Sequence, residues 1–283
     1  MPRYDLSHLI DGRTRLLGLI GEGIGYTLSP RLHNRAIELL GLGGAYVPLP
    51  LPGAQVKTFL DDAWHMNAVG FNVTNPHKRL VAGLVDAGGL TSVNTLYRGD
   101  HGWLGASTDG DGFLAGLLAV SRPIASFTGA VVLGAGGAAE SVIHAMAKAA
   151  PVLTIDILRR TDTSDLALRR VAGRNVGTHP FTAAALTALL KGKGENTLLV
   201  QATNGPHRGD DLSSLVPALK DFGGVVVDLV YGKPSALYFA ALAQDLVAQD
   251  GEAMLIEQAR LSQKLWWGRS ASFQDLSAAL RLR

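Results

Sequence analysis

The chain has no cysteine among its 283 residues, which removes disulfides, thiolate catalysis and cysteine-ligated metals from consideration. Charge is also sparse: Asp, Glu, Lys and Arg make up 18% of the sequence and nearly cancel, leaving a net charge of +2. Arginines stand in pairs only at Arg159-Arg160 and Arg169-Arg170. A nucleic-acid footprint gathers positive charge on one face, so nucleic acid is not an expected partner. Long apolar runs are missing as well. The stretch Val225-Val226-Val227-Asp228-Leu229-Val230 is strand-length, far short of the ~18 apolar residues of a membrane span. The opening Met1-Pro2-Arg3-Tyr4-Asp5-Leu6-Ser7-His8 carries charges where a secretory signal needs an apolar run. A cytoplasmic protein without a membrane partner is therefore expected. The eight histidines do not pair at ligand spacing, and no G-x-S-x-G elbow occurs, so neither a metal site nor a serine hydrolase is expected.

What is present is a large hydrophobic fraction, 47%, enough for one large domain or two medium ones. Short apolar runs closed by glycine or polar residues predict buried parallel-type strands at Leu16–Ile20, Ala45–Leu49, Ala68–Thr74, Ala130–Leu133, Val152–Leu158, Leu198–Val200 and Val225–Val230. Further strands are expected near Ser92–Tyr97 and Trp103–Gly105. Helical spacing follows Ser29-Pro30, with Ser29 as N-cap and Pro30 at the first helical position. It recurs at Val56–Met66, Lys78–Asp86, Gly112–Val120, Ala138–Ala149, Ser164–Ala172, Gly251–Trp267 and Ser272–Leu280. Alternation of strands and helices predicts an α/β fold, with a second parallel sheet after residue 109.

Three segments carry chemistry. In Gly70-Phe71-Asn72-Val73-Thr74-Asn75-Pro76-His77-Lys78, a turn projects a lysine from the end of an apolar strand, where it can act as a general acid or base. Such turns also occur on solvated surfaces, so its weight comes from company. Ser107-Thr108-Asp109-Gly110 places a carboxylate at another strand-like end. Reducing a ketone requires a proton on oxygen as hydride arrives on carbon, and a lysine oriented by an aspartate can supply it. Lys78 and Asp109 are thus the expected catalytic pair.

The third segment is Gly134-Ala135-Gly136-Gly137-Ala138-Ala139, a G-x-G-x-x-A loop between a strand and a helix. Gly134 permits the turn, Gly136 lets backbone approach a pyrophosphate, and Ala139 allows close helix packing. Amide groups at the helix start then hold phosphate. Cofactor choice is set just past the next strand, in Thr154-Ile155-Asp156-Ile157-Leu158-Arg159-Arg160-Thr161. Asp156 lies about twenty residues past the glycines, where a ribose-binding acid would stand. It falls inside the strand, however, while Arg159 and Arg160 occupy the tip and suit a 2′-phosphate. NADP is the favoured cofactor, with NAD left open.

These segments, taken in order with Tyr26-Thr27-Leu28-Ser29-Pro30-Arg31-Leu32-His33-Asn34, Ser92-Val93-Asn94-Thr95-Leu96, Asp228-Leu229-Val230-Tyr231 and Gly251-Glu252-Ala253-Met254-Leu255-Ile256-Glu257-Gln258-Ala259, resemble the shikimate dehydrogenase family over almost the whole chain. The resemblance implies a substrate-binding domain of residues 1–108 plus 251–283, and a Rossmann domain of residues 109–250 binding NAD(P). It implies reversible NADP-linked reduction of 3-dehydroshikimate to shikimate. Thr27 and Ser29 would hold the substrate carboxylate with Tyr231 nearby. Asn72, Thr74, Asn94 and Gln258, with Lys78 and Asp109, would hold ring hydroxyls. Thr203, Gly251 and Met254 would lie beside the cofactor. The implied partner is a small cyclohexene or cyclohexane carboxylate, acted on by a monomer or homodimer.

Several positions depart from the family pattern. Thr27 stands where serine is usual, and its methyl would crowd the carboxylate or C1 side of the ring. Asn75 replaces an aliphatic residue. Both features resemble members that also take quinate. Ser107, Gln201-Ala202-Thr203-Asn204, Gly232-Lys233 and the arginine pair also differ from the usual residues. A quinate or aminoshikimate dehydrogenase accepting NAD is therefore an alternative. A non-catalytic NAD(P)-binding regulatory module is another, against which the intact Lys78/Asp109 pair argues.

Overall fold

The structure is a computed structural model and describes residues 10–160 and 175–281. The expected helix at Ser164–Ala172, and Thr161 beside the arginine pair, lie outside the described residues. The chain divides into two compact units, Met1–Thr108 with Ile256–Arg283, and Asp109–Leu255. The second division point falls inside one helix, Glu252–Trp267.

The first unit is built on a five-stranded sheet in the order β2-β1-β3-β4-β5. Its strands are β1 (Arg15–Gly21), β2 (Gly44–Pro50), β3 (Gly70–Val73), β4 (Thr95–Arg98) and β5 (Trp103–Ala106). β1 pairs parallel with β2 and β3, whereas β4 and β5 run antiparallel. Alternate residues serve opposite faces. Ile20, Phe71, Val73 and Leu96 pack with Val56, Leu60 and Ala63 of helix α2 (Gly53–His65). Leu17 and Leu19 pack with Ile37 of helix α1 (Ser29–Leu39) and with Tyr46. Gly70 is where an indole crosses the sheet: a Cβ there would collide with Trp266 Nε1 and the Leu96 carbonyl. Trp266 Nε1 donates to that same carbonyl at 2.8 Å.

The second unit holds a six-stranded, wholly parallel sheet in the order β11-β10-β9-β6-β7-β8. The strands are β6 (Gly129–Leu133), β7 (Thr154–Arg159), β8 (Val176–Pro180), β9 (Thr197–Gln201), β10 (Val225–Asp228) and β11 (Ala248–Gln249). Central strands read as continuous apolar runs because helices cover both faces. Ala130, Val132, Leu198, Val200, Val225 and Val227 meet Phe113, Leu117, Val142, Ile143 and Met146 on one side. Val131, Leu133, Leu199 and Val226 meet Leu186, Leu190, Leu215, Leu219 and Leu237 on the other. The strand order reverses at β6/β9, and ligands of such sheets bind outside the carboxyl ends of strands at that point.

Three expected boundaries shift for identifiable reasons. Ser29 is the first helical residue, not the N-cap. Leu28 takes the cap position without a side-chain bond, and Pro30 lies in the first turn as expected. The helix at Lys78 ends at Ala82, where Gly83 caps it, rather than continuing to Asp86. β10 stops at Asp228 because that side chain turns back to accept from the Val230 amide at 2.9 Å. Among the described residues, no helix is long and apolar enough to cross a membrane.

Candidate active site and dinucleotide-binding residues

In the first unit, β3 ends at Val73 and the lysine turn follows. The Thr74 amide donates to the Ile20 carbonyl at 2.9 Å, and the Asn75 carbonyl accepts from the Glu22 amide at 3.2 Å. Backbone of the β1 exit therefore fixes the turn from one side. His77, only 2% exposed, places Nε2 2.7 Å from the Leu51 carbonyl and fixes it from another. Lys78 opens the short helix Lys78–Ala82 and is buried to 9% exposure, despite being a lysine. Its carbonyl accepts from the Val93 amide at 3.1 Å.

That last bond brings in the next expected residue. Asn94, beside Val93, is buried; its Nδ2 donates to Thr108 Oγ1 at 2.9 Å and its Oδ1 accepts from the Thr108 amide at 2.8 Å. Thr108 is thus held by one carboxamide at both its backbone and its hydroxyl. Asp109, the next residue, begins the helix Asp109–Val120 and is itself buried. The sequence segments Val93-Asn94-Thr95 and Ser107-Thr108 are in this way parts of one construction.

Asn72 is buried in a hydrogen-bonded net. Its Oδ1 accepts from the Tyr46 hydroxyl at 2.9 Å, while Nδ2 lies 2.9 Å from Ser262 Oγ, 3.1 Å from Thr95 Oγ1 and 3.2 Å from the Asn94 carbonyl. The carboxamide is thus held in place inside the unit by hydroxyl and backbone partners. Tyr46, Thr95 and Ser262 belong to the same net. Sequence reasoning misses them because hydroxyl side chains on apolar elements carry no periodic signal.

Near the start of α1, Thr27 Oγ1 donates to Ser29 Oγ at 3.2 Å and accepts from the Ser29 amide at 3.2 Å. That arrangement leaves the Ser29 hydroxyl proton to donate outward. Thr74 and Gln258 are both half-buried. Further along α1, His33 is fully buried, stacked on Tyr46 at 4.3 Å between centroids and 5.0 Å from Trp266. Among the described residues, neither of its ring nitrogens finds a hydrogen-bond partner. Burial pushes its pKa down to about 3, and the nearby Asn72 carboxamide offsets only part of that.

In the second unit, the glycine loop stands between β6 and the helix Gly137–Ala149, at the switch point. Gly134 has φ +107°, a left-handed value that favours glycine, and a Cβ there would come within 3.0 Å of Thr203 Cγ2. Gly136 is informative for the opposite reason. Its φ of −78° and ψ of 179° suit any residue, and a Cβ would meet no atom within 4 Å. Folding does not demand glycine there, but close approach of a phosphate to backbone does. Ala139 is fully buried against the sheet. A dinucleotide pyrophosphate fits this cradle, with Ala135, Gly137 and Ala138 completing it.

Beyond the cradle, Asp156 pairs with His179 Nε2 at 2.7 Å, in register with Val131 and Gly177 in mid-sheet. It is occupied, and it lies away from the strand end. Arg159 closes β7, and Arg160 follows with its guanidinium 4.9 Å from the Phe181 ring centroid, paired with Asp210. Thr203 binds back on Gln201: its amide donates to Oε1 at 2.5 Å and its carbonyl accepts from Nε2 at 3.1 Å. Gln201 Nε2 also donates to Asp228, whose carboxylate accepts from the Val230 and Ser235 amides. Burial raises the Asp228 pKa, opposed by those hydrogen bonds. Asp228 is thus a clamp that orders the β9 and β10 exits, a role its motif did not announce.

Tyr231 follows on that clamp, half-buried and 6.4 Å from the His207 ring. Gly251 is needed for packing, because a Cβ would collide with the Leu229 carbonyl. Met254 is buried in the aliphatic cluster with Phe113 and Leu117. Among the described residues, no three His, Asp or Glu side chains stand where they could hold a metal ion.

Residues 19–96 match the model of the shikimate dehydrogenase substrate binding domain. The NADP(+) shikimate dehydrogenase of Rubrobacter xylanophilus is 38% identical, covering 92% of this chain and 93% of its own. That of Thermosynechococcus vestitus is 35% identical, covering 96% of each. The shikimate 5-dehydrogenase of Thermus thermophilus, solved in complex with NADP(H) and shikimate, superposes with a TM-score of 0.80 at 29% identity. It covers 95% of this chain and 99% of its own. With relatives of this identity aligned along nearly its full length, the chain belongs to the shikimate dehydrogenase family.

Proposed function

We propose that the chain catalyses the reversible, NADP-linked interconversion of shikimate and 3-dehydroshikimate in the cytoplasm, as a monomer or homodimer. The observation that carries this reading is Gly136: an ordinary backbone conformation with an open Cβ direction, at a helix start, with an arginine pair at the tip of the neighbouring strand. The cradle amides would bind pyrophosphate, and Arg159 and Arg160 the 2′-phosphate. When bound, NADP supplies or accepts the hydride at the ring carbon.

The chain's own residues do the rest. Ser29 donates to the substrate carboxylate, with Thr27 holding the Ser29 hydroxyl in place. Thr74, Asn94 and Gln258 bind ring hydroxyls, and a site built on such bonds rejects analogues that lack them. Lys78 takes the proton from the reacting hydroxyl during oxidation and returns it during reduction, with Asp109 orienting the ammonium. Lys78 and Asp109 are each buried, and a proton transfer shielded from water is strengthened.

A second reading, quinate as substrate, has one feature in its favour. The Thr27 hydroxyl bonds the Ser29 hydroxyl, and serine in its place would carry one methyl fewer. Absorbance at 340 nm with shikimate or quinate against NADP or NAD separates the readings. The proposal expects the highest kcat/KM for shikimate with NADP. Quinate preference would favour the second reading, and no turnover with any ring substrate would favour a binding module.

A further inference from the structure

The loop that leaves β9 touches both ends of the dinucleotide-binding edge. At its start, Thr203 packs against Gly134 of the cradle. Its hydroxyl accepts from the Gly205 amide at 3.3 Å. The Gly205 carbonyl then accepts from the Asp210 amide at 2.9 Å, closing the loop over Pro206–Arg208. Asp210 Oδ1 accepts from the Leu212 amide at 3.1 Å, which fixes the carboxylate, and Leu212 is buried. The other carboxylate oxygen, Oδ2, pairs with Arg160 at the β7 tip.

We infer that Asp210 is a specificity-determining residue for the nicotinamide cofactor, an acidic counterweight that lowers the preference for a 2′-phosphate over a 2′-hydroxyl. The inference rests on the proposed NADP site. Arg160 is already engaged from two sides, by the Phe181 ring and by Asp210. Phe181 is anchored in turn, its amide donating to the Arg159 carbonyl at 3.0 Å. A guanidinium offers five donors, so it can grip a carboxylate and a phosphate together. The two anions then lie within one Debye length of each other. In water at physiological salt, a unit charge opposing a dianion at such range shifts an equilibrium about threefold. A neutral 2′-hydroxyl feels no such opposition and finds in Asp210 a competent acceptor. Both side chains of the pair are about half exposed, 59% for Arg160 and 45% for Asp210, so screening keeps the effect at that modest size.

Asparagine at position 210 isolates charge from geometry, because its Oδ1 can still accept from Leu212 and hold the loop. Titration calorimetry on the full-length chain, with NADP and with NAD, reads the outcome directly. For Asp210→Asn the expected result is NADP binding about threefold tighter and NAD binding unchanged or slightly weaker, with the gain shrinking at about 0.5 M salt. Asp210→Ser should act the same way, and in an Arg160→Ala background the substitution should lose most of its effect. Weaker or unchanged NADP binding in Asp210→Asn would overturn the inference, as would an equal gain for both cofactors. Failure of the unaltered protein to bind NADP at all would refute the cofactor reading itself, and is a separate result.

Discussion

Replacing His33 by phenylalanine ought to flatten the acid side of the first unit's stability curve. His33 is fully buried between Tyr46 and Trp266, without a hydrogen-bond partner for either ring nitrogen among the described residues. Its pKa falls from 6.5 to about 3 on folding because burial disfavours the imidazolium. The sign follows from proton counting. Below 6.5 the unfolded chain takes up a proton at this position and the folded ring does not, so unfolding gains free energy as pH falls. Stability from the neutral ring is complete above 6.5 and is lost progressively toward 3. Between pH 7.5 and 5.0 the loss amounts to about 2 kcal/mol. A phenyl ring keeps the stacking surface and cannot titrate. All four tryptophans, Trp64, Trp103, Trp266 and Trp267, belong to the first unit, so urea unfolding followed by tryptophan fluorescence reports on that unit. His33→Phe should lose about 2 kcal/mol less than the unaltered chain over the same pH interval, since every other titration is common to both. Equal losses would refute the reasoning, and so would an imidazole resonance of His33 titrating near 6.5.

Other consequences can be checked independently. Gly136→Ala should leave thermal stability almost unchanged, because the backbone is extended and a Cβ meets nothing; NADP affinity measured by calorimetry should nonetheless fall about tenfold or more as the methyl enters the phosphate's approach. Asn72→Leu removes one hydrogen-bond partner each from the buried Tyr46, Thr95 and Ser262 hydroxyls and should cost about 3 kcal/mol in urea unfolding; a cost below about 1 kcal/mol would mean the net is dispensable. Thr27→Ser keeps the hydroxyl that bonds Ser29 but removes one methyl and should raise the shikimate-to-quinate ratio of kcat/KM by about tenfold; an unchanged ratio would remove Thr27 from specificity.

Much of this architecture can be read in the chain, and the reasons differ by element. The central strands β1, β6, β9 and β10 are buried on both faces, so their sequences are unbroken apolar runs that stand out from their surroundings. The glycine loop is legible because its constraint is local: a strand, a left-handed turn and a helix start follow one another in sequence. β8 is not legible. It is an edge strand, half-exposed, and reads Val176-Gly177-Thr178-His179-Pro180, with a glycine and a proline that argue against a strand. β11 has two residues, too few for any pattern. Helix Ala236–Ala243 goes unseen because it is almost uniformly apolar and so has no periodic face. Thr182, whose hydroxyl accepts from the Ala185 amide at 3.2 Å, is the capping signal that could have marked the helix Ala183–Leu190.

The candidate site divides in the same way. Lys78 and Asp109 are visible because turns punctuate the sequence beside them. The bonding of Asn72 to Tyr46 and Ser262, residues 26 and 190 positions away, is a fact of tertiary packing that no local pattern encodes. The clamp at Asp228 is similar, since its partners become neighbours only when β9 and β10 pair.

The central claim is that the Lys78 amine moves the proton while hydride crosses to or from NADP. Steady-state oxidation of shikimate by NADP, comparing the unaltered chain with Lys78→Ala, tests it most directly. The account predicts a kcat reduced by about 10²- to 10⁴-fold with KM for shikimate changed by less than about threefold. A KM raised a hundredfold beside an unchanged kcat would contradict it, leaving Lys78 a binding group and the proton's route elsewhere.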